Sequence, residues 1–123
     1  MALNDAVFDS NILIDHLNDI PPARAAITRY VQPSISIVTW MEVPAGANAG
    51  NEARTRTLLN QFKLIQITSE IAEAAAVLRR SRQFKLPDAI ILASAQVLGC
   101  SLVTRNTRDF DRDQPNILVP YTL

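Results

Sequence analysis

A basic excess, disulfide-forming capacity and long apolar runs are all missing from this chain, and each absence removes a class of protein. One cysteine, Cys100, excludes an internal disulfide and suits a reducing compartment. It follows Gly99 at a strand start and is expected to be buried and inert. One histidine, His16, excludes any chemistry that needs a histidine pair, and its apolar flanks on a helical stretch read as packing. Twelve basic residues balance twelve acidic ones, so a generally basic coat protein is excluded and any contact with nucleic acid must depend on local charge. Aromatics are few (four Phe, two Tyr, one Trp), which argues against recognition by base stacking; Trp40 and Phe110 are expected in the core. The longest apolar stretch, residues 89–95, contains Ser94 and falls far short of the roughly 20 residues a membrane span needs. Asn4, Asp5 and Asp9 stand where a secretory leader would carry basic and then apolar residues, so no leader is expected and the cytoplasm is the expected location.

What remains is an ordinary globular composition. At 123 residues and 48% hydrophobic content the chain can build a core without a disulfide or structural metal, and residues 1–123 read as one domain. Short apolar runs of strand length recur at residues 6–8, 35–38, 64–67, 101–103 and 117–119. Helix-like segments lie between most of them: 11–17, Pro21 to about Tyr30, Thr39 to about Ala47, Glu52–Phe62, a long one from Ser69, and Asp88–Leu98 behind Pro87. The last is apolar almost all round and closed by Gly99, so it is expected to be central. Strands alternating with helices predict an α/β fold with a mostly parallel sheet of about five strands, covered on both faces.

Four acids then need a reason. Asp9 follows Val7-Phe8, Glu42 follows Ile37-Val38, Asp109 follows Leu102-Val103, and Asp88 opens a helix leading into the fourth strand. Each has a plain structural explanation. Asp9 would serve as a helix cap, Thr39 and Glu42 as a capping box, Asp88 as an acid favoured by the helix dipole, and Asn106 with Asp109 as a second box. Together, however, they arrive at the carboxyl-terminal edge of one parallel sheet, where open α/β folds bind ligands. Four carboxylates there repel one another unless a cation neutralises them. Hard oxygen ligands without His or Cys favour Mg2+ or Mn2+ over zinc. The chemistry expected of such a centre is cleavage of phosphodiesters by metal-activated water.

Polar neighbours suit a supporting role. Ser10 and Asn11 follow Asp9, while Thr104 and Asn106 precede Asp109; such groups can hold carboxylates or metal-bound waters, or simply make turns. Asp15, a helical turn beyond, reads as solvated or capping. Cations are unevenly spread: Arg79, Arg80, Arg82 and Lys85 crowd before Asp88, and Arg105, Arg108 and Arg112 surround Asp109. Arg79, Arg82, Lys85, Arg105 and Arg108 are candidate phosphate contacts, with a solvated face or a helix-end charge as the alternative for the first group.

The same residues carry a family resemblance. The stretches Val7-Phe8-Asp9-Ser10-Asn11-Ile12-Leu13-Ile14-Asp15, Ile37-Val38-Thr39-Trp40-Met41-Glu42-Val43, Leu86-Pro87-Asp88-Ala89-Ile90-Ile91-Leu92-Ala93 and Leu102-Val103-Thr104-Arg105-Asn106-Thr107-Arg108-Asp109-Phe110 resemble, in order and spacing, the PIN-domain ribonucleases. Within them the chain is most similar to VapC-type toxins of type II toxin–antitoxin pairs. The resemblance implies a three-layer α/β/α sandwich and Mg2+- or Mn2+-dependent endoribonuclease activity, with Asp9, Glu42, Asp88 and Asp109 as the acidic quartet. Asn106 falls where many members carry another acid. It also implies RNA (tRNA or rRNA loops) as substrate, a VapB-type antitoxin as partner and a homodimer. Three other readings stay open: a PIN nuclease of RNA processing without an antitoxin, a non-catalytic PIN binding module, and a phosphoacceptor signalling domain. The last needs a lysine late in the chain, and only Lys63 and Lys85 exist.

Overall fold

The structure is a computed structural model that describes residues 5–48, 50–82 and 84–123. Among these residues, five strands and six helices follow one another as β1 (Ala6–Phe8), α1 (Ser10–Leu17), α2 (Pro21–Thr28), β2 (Ser34–Ser36), α3 (Ile37–Gly46), α4 (Glu52–Leu59), β3 (Lys63–Ile65), α5 (Ser69–Arg82), α6 (Leu86–Leu98), β4 (Ser101–Val103) and β5 (Ile117–Leu118). The strands form one sheet in the order β3-β2-β1-β4-β5, and every neighbouring pair is parallel. The first three strands step outward from β1 on one side; β4 then returns to pair with β1 on the other. In the central pair, Ala6, Val7 and Phe8 lie opposite Ser101, Leu102 and Val103. The order of the strands therefore reverses between β1 and β4, and a crevice at their carboxyl ends is the natural ligand site of such a sheet.

Alternation along the strands divides the core into two layers. Ala6, Phe8 and Val103 point to one face, where they pack with Ile12 and Leu13 of α1, Ala23 and Ile27 of α2, and Leu58 and Leu59 of α4. Phe8 is fully buried and meets Tyr30 and Phe62 edge-on, at centroid distances of 5.3 and 5.7 Å. Val7 and Leu102 point to the opposite face, against Ile71 and Ala75 of α5 and Ala89, Ile91 and Leu92 of α6. The expected α/β/α sandwich is thus present. Trp40 and Phe110 both pack as expected, Phe110 fully buried and Trp40 partly so beneath Arg56.

Several boundaries differ from expectation by a few residues, as where β3 covers Lys63–Ile65 and α4 ends at Leu59, and one of them matters for the site. The strand expected over 35–38 stops at Ser36, because the Ser36 hydroxyl accepts a hydrogen bond from Val38 N at 3.1 Å and caps α3. A good cap here outweighs the β preference of Ile37 and Val38. The helix consequently starts two residues before Thr39, and the capping box expected for Thr39 and Glu42 does not form. Thr39 is instead fully buried, with Glu42 one turn above it on the same face. Pro44 does not end the helix, which continues to Gly46. At the other end of the core, Gly99 closes α6 as expected. With φ at 68° it is left-handed, and its N–H and that of Cys100 return to the carbonyls of Gln96 and Ala95. Cys100 itself is only half-buried. No described helix is long and apolar enough to cross a membrane.

Candidate active site

Asp9 sits at the point where the strand order reverses. Its backbone N–H still belongs to the sheet, bonding Val103 O at 2.9 Å, while its side chain already caps α1 by accepting from Ser10 N at 2.7 Å. Strand and helix together leave the carboxylate little freedom. It is 5% exposed. Its second oxygen accepts from Thr104 Oγ1 at 2.8 Å and from Asn11 Nδ2 at 3.2 Å. Thr104 uses its full capacity: it donates to Asp9 and accepts from Asn106 N at 3.0 Å and Asn11 Nδ2 at 3.3 Å. The plain capping role foreseen for Asp9 is real, yet capping alone does not require so much burial.

The other three acids come to the same edge on different elements. Asp88 lies in the first turn of α6 and is half-buried. Glu42, on α3, accepts from Ser10 Oγ at 2.6 Å, and Ser10 Oγ lies 3.1 Å from Thr39 Oγ1. Asp109 is exposed beyond β4, where it forms the reciprocal box expected with Asn106: Asn106 Nδ2 donates to Asp109 Oδ2 at 2.9 Å and Asp109 N to Asn106 Oδ1 at 3.2 Å. All four polar neighbours singled out in the sequence, Ser10, Asn11, Thr104 and Asn106, therefore bond directly to one of the four acids. Sequence patterning read Thr39 only as a helix cap; the Ser36 cap, read in its place, would have turned the Thr39 hydroxyl inward.

Electrostatics link the four. Burial pushes the Asp9 carboxyl up to about 6, against the lowering effect of its bonds to Thr104 and Ser10; the charges of Asp88 and Glu42 raise it further. Burial also pushes Asp88 up, followed by the charges of Asp109 and Glu42, with Lys85 opposing. Asp9 and Asp88 thus each feel the charge of two other acids. The four are not, however, closed into a ready-made ligand shell: among the described residues, no three His, Cys, Asp or Glu side chains are gathered closely enough to hold a metal ion. Magnesium does not require that, since it keeps several waters and commonly takes one or two carboxylates plus substrate phosphate. The donors are hard oxygens, and among the described residues Asp9 Oδ1 takes only the Ser10 N–H and retains an unused lone pair. These residues fit a hard divalent cation.

Of the cations, Lys85 is exposed at the N-cap of α6, close enough to Asp88 to act on its titration. Arg108 and Arg112 line, with Phe84, Thr107, Asp109 and Asp111, an open depression of about 360 Å³ that adjoins the site. Arg79 donates to Phe84 O at 2.6 Å and so ties the end of α5 to the segment before Asp88. The Arg82 side chain lies outside the described residues. Arg105, expected beside the phosphates, has its guanidinium forked onto Asp15, with Nε 2.6 Å from Oδ2 and Nη2 2.9 Å from Oδ1. Asp15 is accordingly neither solvated nor a cap; it is 3% exposed and also accepts from the Tyr121 hydroxyl at 2.7 Å. The i, i+4 spacing of Asn11 and Asp15, which puts both on the face of α1 turned to the β4 exit, was the available signal. Nothing local pointed to Tyr121. His16 is half-buried, and burial, with the charges of Arg54 and Arg24, lowers its pKa, in keeping with a packing residue.

An acidic edge at the strand-order reversal of a five-stranded parallel sheet, flanked by helices on both faces, defines a class, and comparison with known families agrees. The PIN domain family model matches residues 6–113, and the chain belongs to that family. A chain of a toxin–antitoxin complex from Klebsiella pneumoniae is 45% identical over 96% of this chain and 99% of its own length, with a TM-score of 0.89. The fold is shared more distantly with a chain of DNA-bound VapBC from Salmonella typhimurium (21% identity, 99% and 98% coverage, TM-score 0.77) and one of FitAcB from Neisseria gonorrhoeae (18%, 94% and 97%, 0.76). No curated protein matches the chain in sequence.

Proposed function

We propose that this chain is a metal-dependent endoribonuclease and the toxin of a VapBC-type toxin–antitoxin pair, with Asp9, Glu42, Asp88 and Asp109 as its catalytic and metal-holding acids. The observation that carries this reading is Asp9: a buried carboxylate at the strand-order reversal, raised by that burial and then by the charges of Asp88 and Glu42, and holding on Oδ1 a lone pair with no partner among the described residues. A capping residue has no need of two further acids, Asp88 and Glu42, near enough to act on it. The reading takes residues 1–123 as one domain, acting in the cytoplasm as a homodimer; the toxin–antitoxin complex that shares 45% identity supports the antitoxin partner.

Held by these acids, Mg2+ or Mn2+ would supply Lewis-acid activation of water and neutralise charge on the phosphoryl oxygens. This chain's own residues do the rest. Thr104, Ser10 N and Asn11 fix both oxygens of Asp9, so it needs no reorganisation during reaction. Ser10 orients Glu42, and Asn106 orients Asp109. Lys85, Arg108 and Arg112 stand at the rim as contacts for phosphates on either side of the scissile bond; Arg79 and Arg82 are further back on α5. With few aromatics in reach, the fold of an RNA loop in tRNA or rRNA would select the target more than base stacking does.

Incubating the purified, antitoxin-free protein with end-labelled total RNA tests the proposal. Discrete fragments in magnesium, none in EDTA, and none with Asp109→Asn are expected, and the fragment ends identify the RNA. Intact RNA in magnesium, with the protein folded, would favour a PIN module that only binds.

A further inference from the structure

We propose that Asp15, Arg105 and Tyr121 form a positioning clamp, resting on the nuclease reading, that holds the loop after β4 so that Thr104 and Asn106 can aim Asp9 and Asp109. The segment from Thr104 to Asp109 keeps one sheet bond, Thr104 N to Leu118 O at 3.0 Å, and beyond it the backbone makes only short-range turns. Ties to α1 and its cap place it. Thr104 bonds Asp9; Arg105 N donates to Asn11 Oδ1 at 3.2 Å; and the Arg105 side chain forks onto Asp15 one turn further along the helix. The first two ties are themselves part of the acidic centre; the third is a side-chain anchor outside it, added to the sheet bond from Thr104 N to Leu118 O. Tyr121, from the far end of the chain, closes that anchor by donating to the same Asp15 oxygen that takes Arg105 Nε.

The connection to chemistry is continuous. From the clamp, the Arg105 backbone bonds Asn11, Asn11 bonds Asp9 and Thr104, Thr104 receives Asn106 N, and Asn106 holds Asp109. A shift of Arg105 along the helix would be felt at both acids. An ion pair buried on the Asp15 side only adds little stability, whereas its fork geometry permits one register only. Lysine, a point charge, cannot reproduce a fork. Arg105 therefore works in this site without touching RNA, which separates it from Arg108 on the rim.

The test uses the full chain with Arg105→Lys, Asp15→Asn, Tyr121→Phe and the Asp15→Asn/Arg105→Lys double variant, each checked by thermal melting. Two readouts are needed: kcat and KM for RNA cleavage in magnesium, and the NMR signals of the Asn106 side-chain amide and Asp109 backbone amide in metal-free protein. The clamp predicts that Arg105→Lys and Asp15→Asn lower kcat by about 10–100-fold with KM little changed. It also predicts that both displace the Asn106 and Asp109 signals, and that the double variant is no worse than the poorer single. Tyr121→Phe, the mildest change, should shift the same signals less, and it carries the test if Asp15→Asn does not fold. Wild-type kcat and unmoved signals in Arg105→Lys would overturn the proposal, since a phosphate contact needs only the charge. If the wild type cleaves no RNA, displaced signals still support the clamp while the nuclease reading fails.

Discussion

Replacing Asp9 by Asn should make the metal-free protein more stable at neutral pH, although the residue caps a helix. The wild-type carboxyl is raised from 3.8 to about 6. At about 1.4 kcal/mol per pH unit, ionising it costs the folded state about 3 kcal/mol at pH 7. The sign follows from proton binding: between pH 4 and 6 the folded state holds this proton more tightly than the unfolded chain, so stability falls as pH rises through that window. Below about pH 4 the penalty is absent. Asn removes the charge but not without loss. It keeps one acceptor, for Ser10 N, while its amide group would face the Asn11 amide and the Thr104 hydroxyl, both of which donate to the carboxylate. Those lost bonds cost about 1–2 kcal/mol. The net gain at pH 7 is then about 1–2 kcal/mol, or about 5 °C in Tm. Urea denaturation in EDTA at intervals from pH 4 to 8 reads it directly: Asp9→Asn should gain on the wild type from pH 4 to 6 and hold that gain above. Magnesium should reverse the order, since a ligand at 100 times its Kd adds about 2.7 kcal/mol to the protein that binds it. An Asp9→Asn protein less stable than wild type at pH 7 in EDTA, or a difference that does not change with pH, would refute the reasoning.

Three further outcomes are expected. Arg108→Ala should raise KM and flatten the salt dependence of RNA binding with kcat nearly unchanged, as measured by cleavage kinetics at several salt concentrations. Phe8→Ala removes a fully buried ring packed against Tyr30 and Phe62 and should cost about 3–5 kcal/mol in urea unfolding. Gly99→Ala meets no atom within 4 Å of the new Cβ, so its cost should be only the left-handed backbone term of about 1–2 kcal/mol, by the same assay.

The fold was legible because β1 and β4 are short, β-branched or aromatic runs with clear alternation, and because Pro87 and Gly99 mark both ends of α6. The four acids were legible for the same reason: each follows a strand or opens a helix, and topology then carries it to one edge. Ser36 was not, since a serine inside an apolar run reads equally as strand interior or as cap; only tertiary packing of Thr39 against Ser10 decides. Asp15 was misread because an acid directly after an apolar run, here Ile12-Leu13-Ile14, has no local mark of burial. Its partners stand 90 and 106 positions away, and a pairing of that range leaves no trace in spacing or composition.

The central claim is that these acids drive cleavage through a divalent ion. Single-turnover cleavage of an end-labelled target RNA, titrated with magnesium for the wild type, Asp9→Asn and Asp88→Asn, tests it most directly. The account predicts a wild-type rate that rises and saturates with magnesium, no cleavage in EDTA, and loss of cleavage in both folded variants at all magnesium concentrations. Cleavage that persists in EDTA, or that survives in either variant, would contradict it.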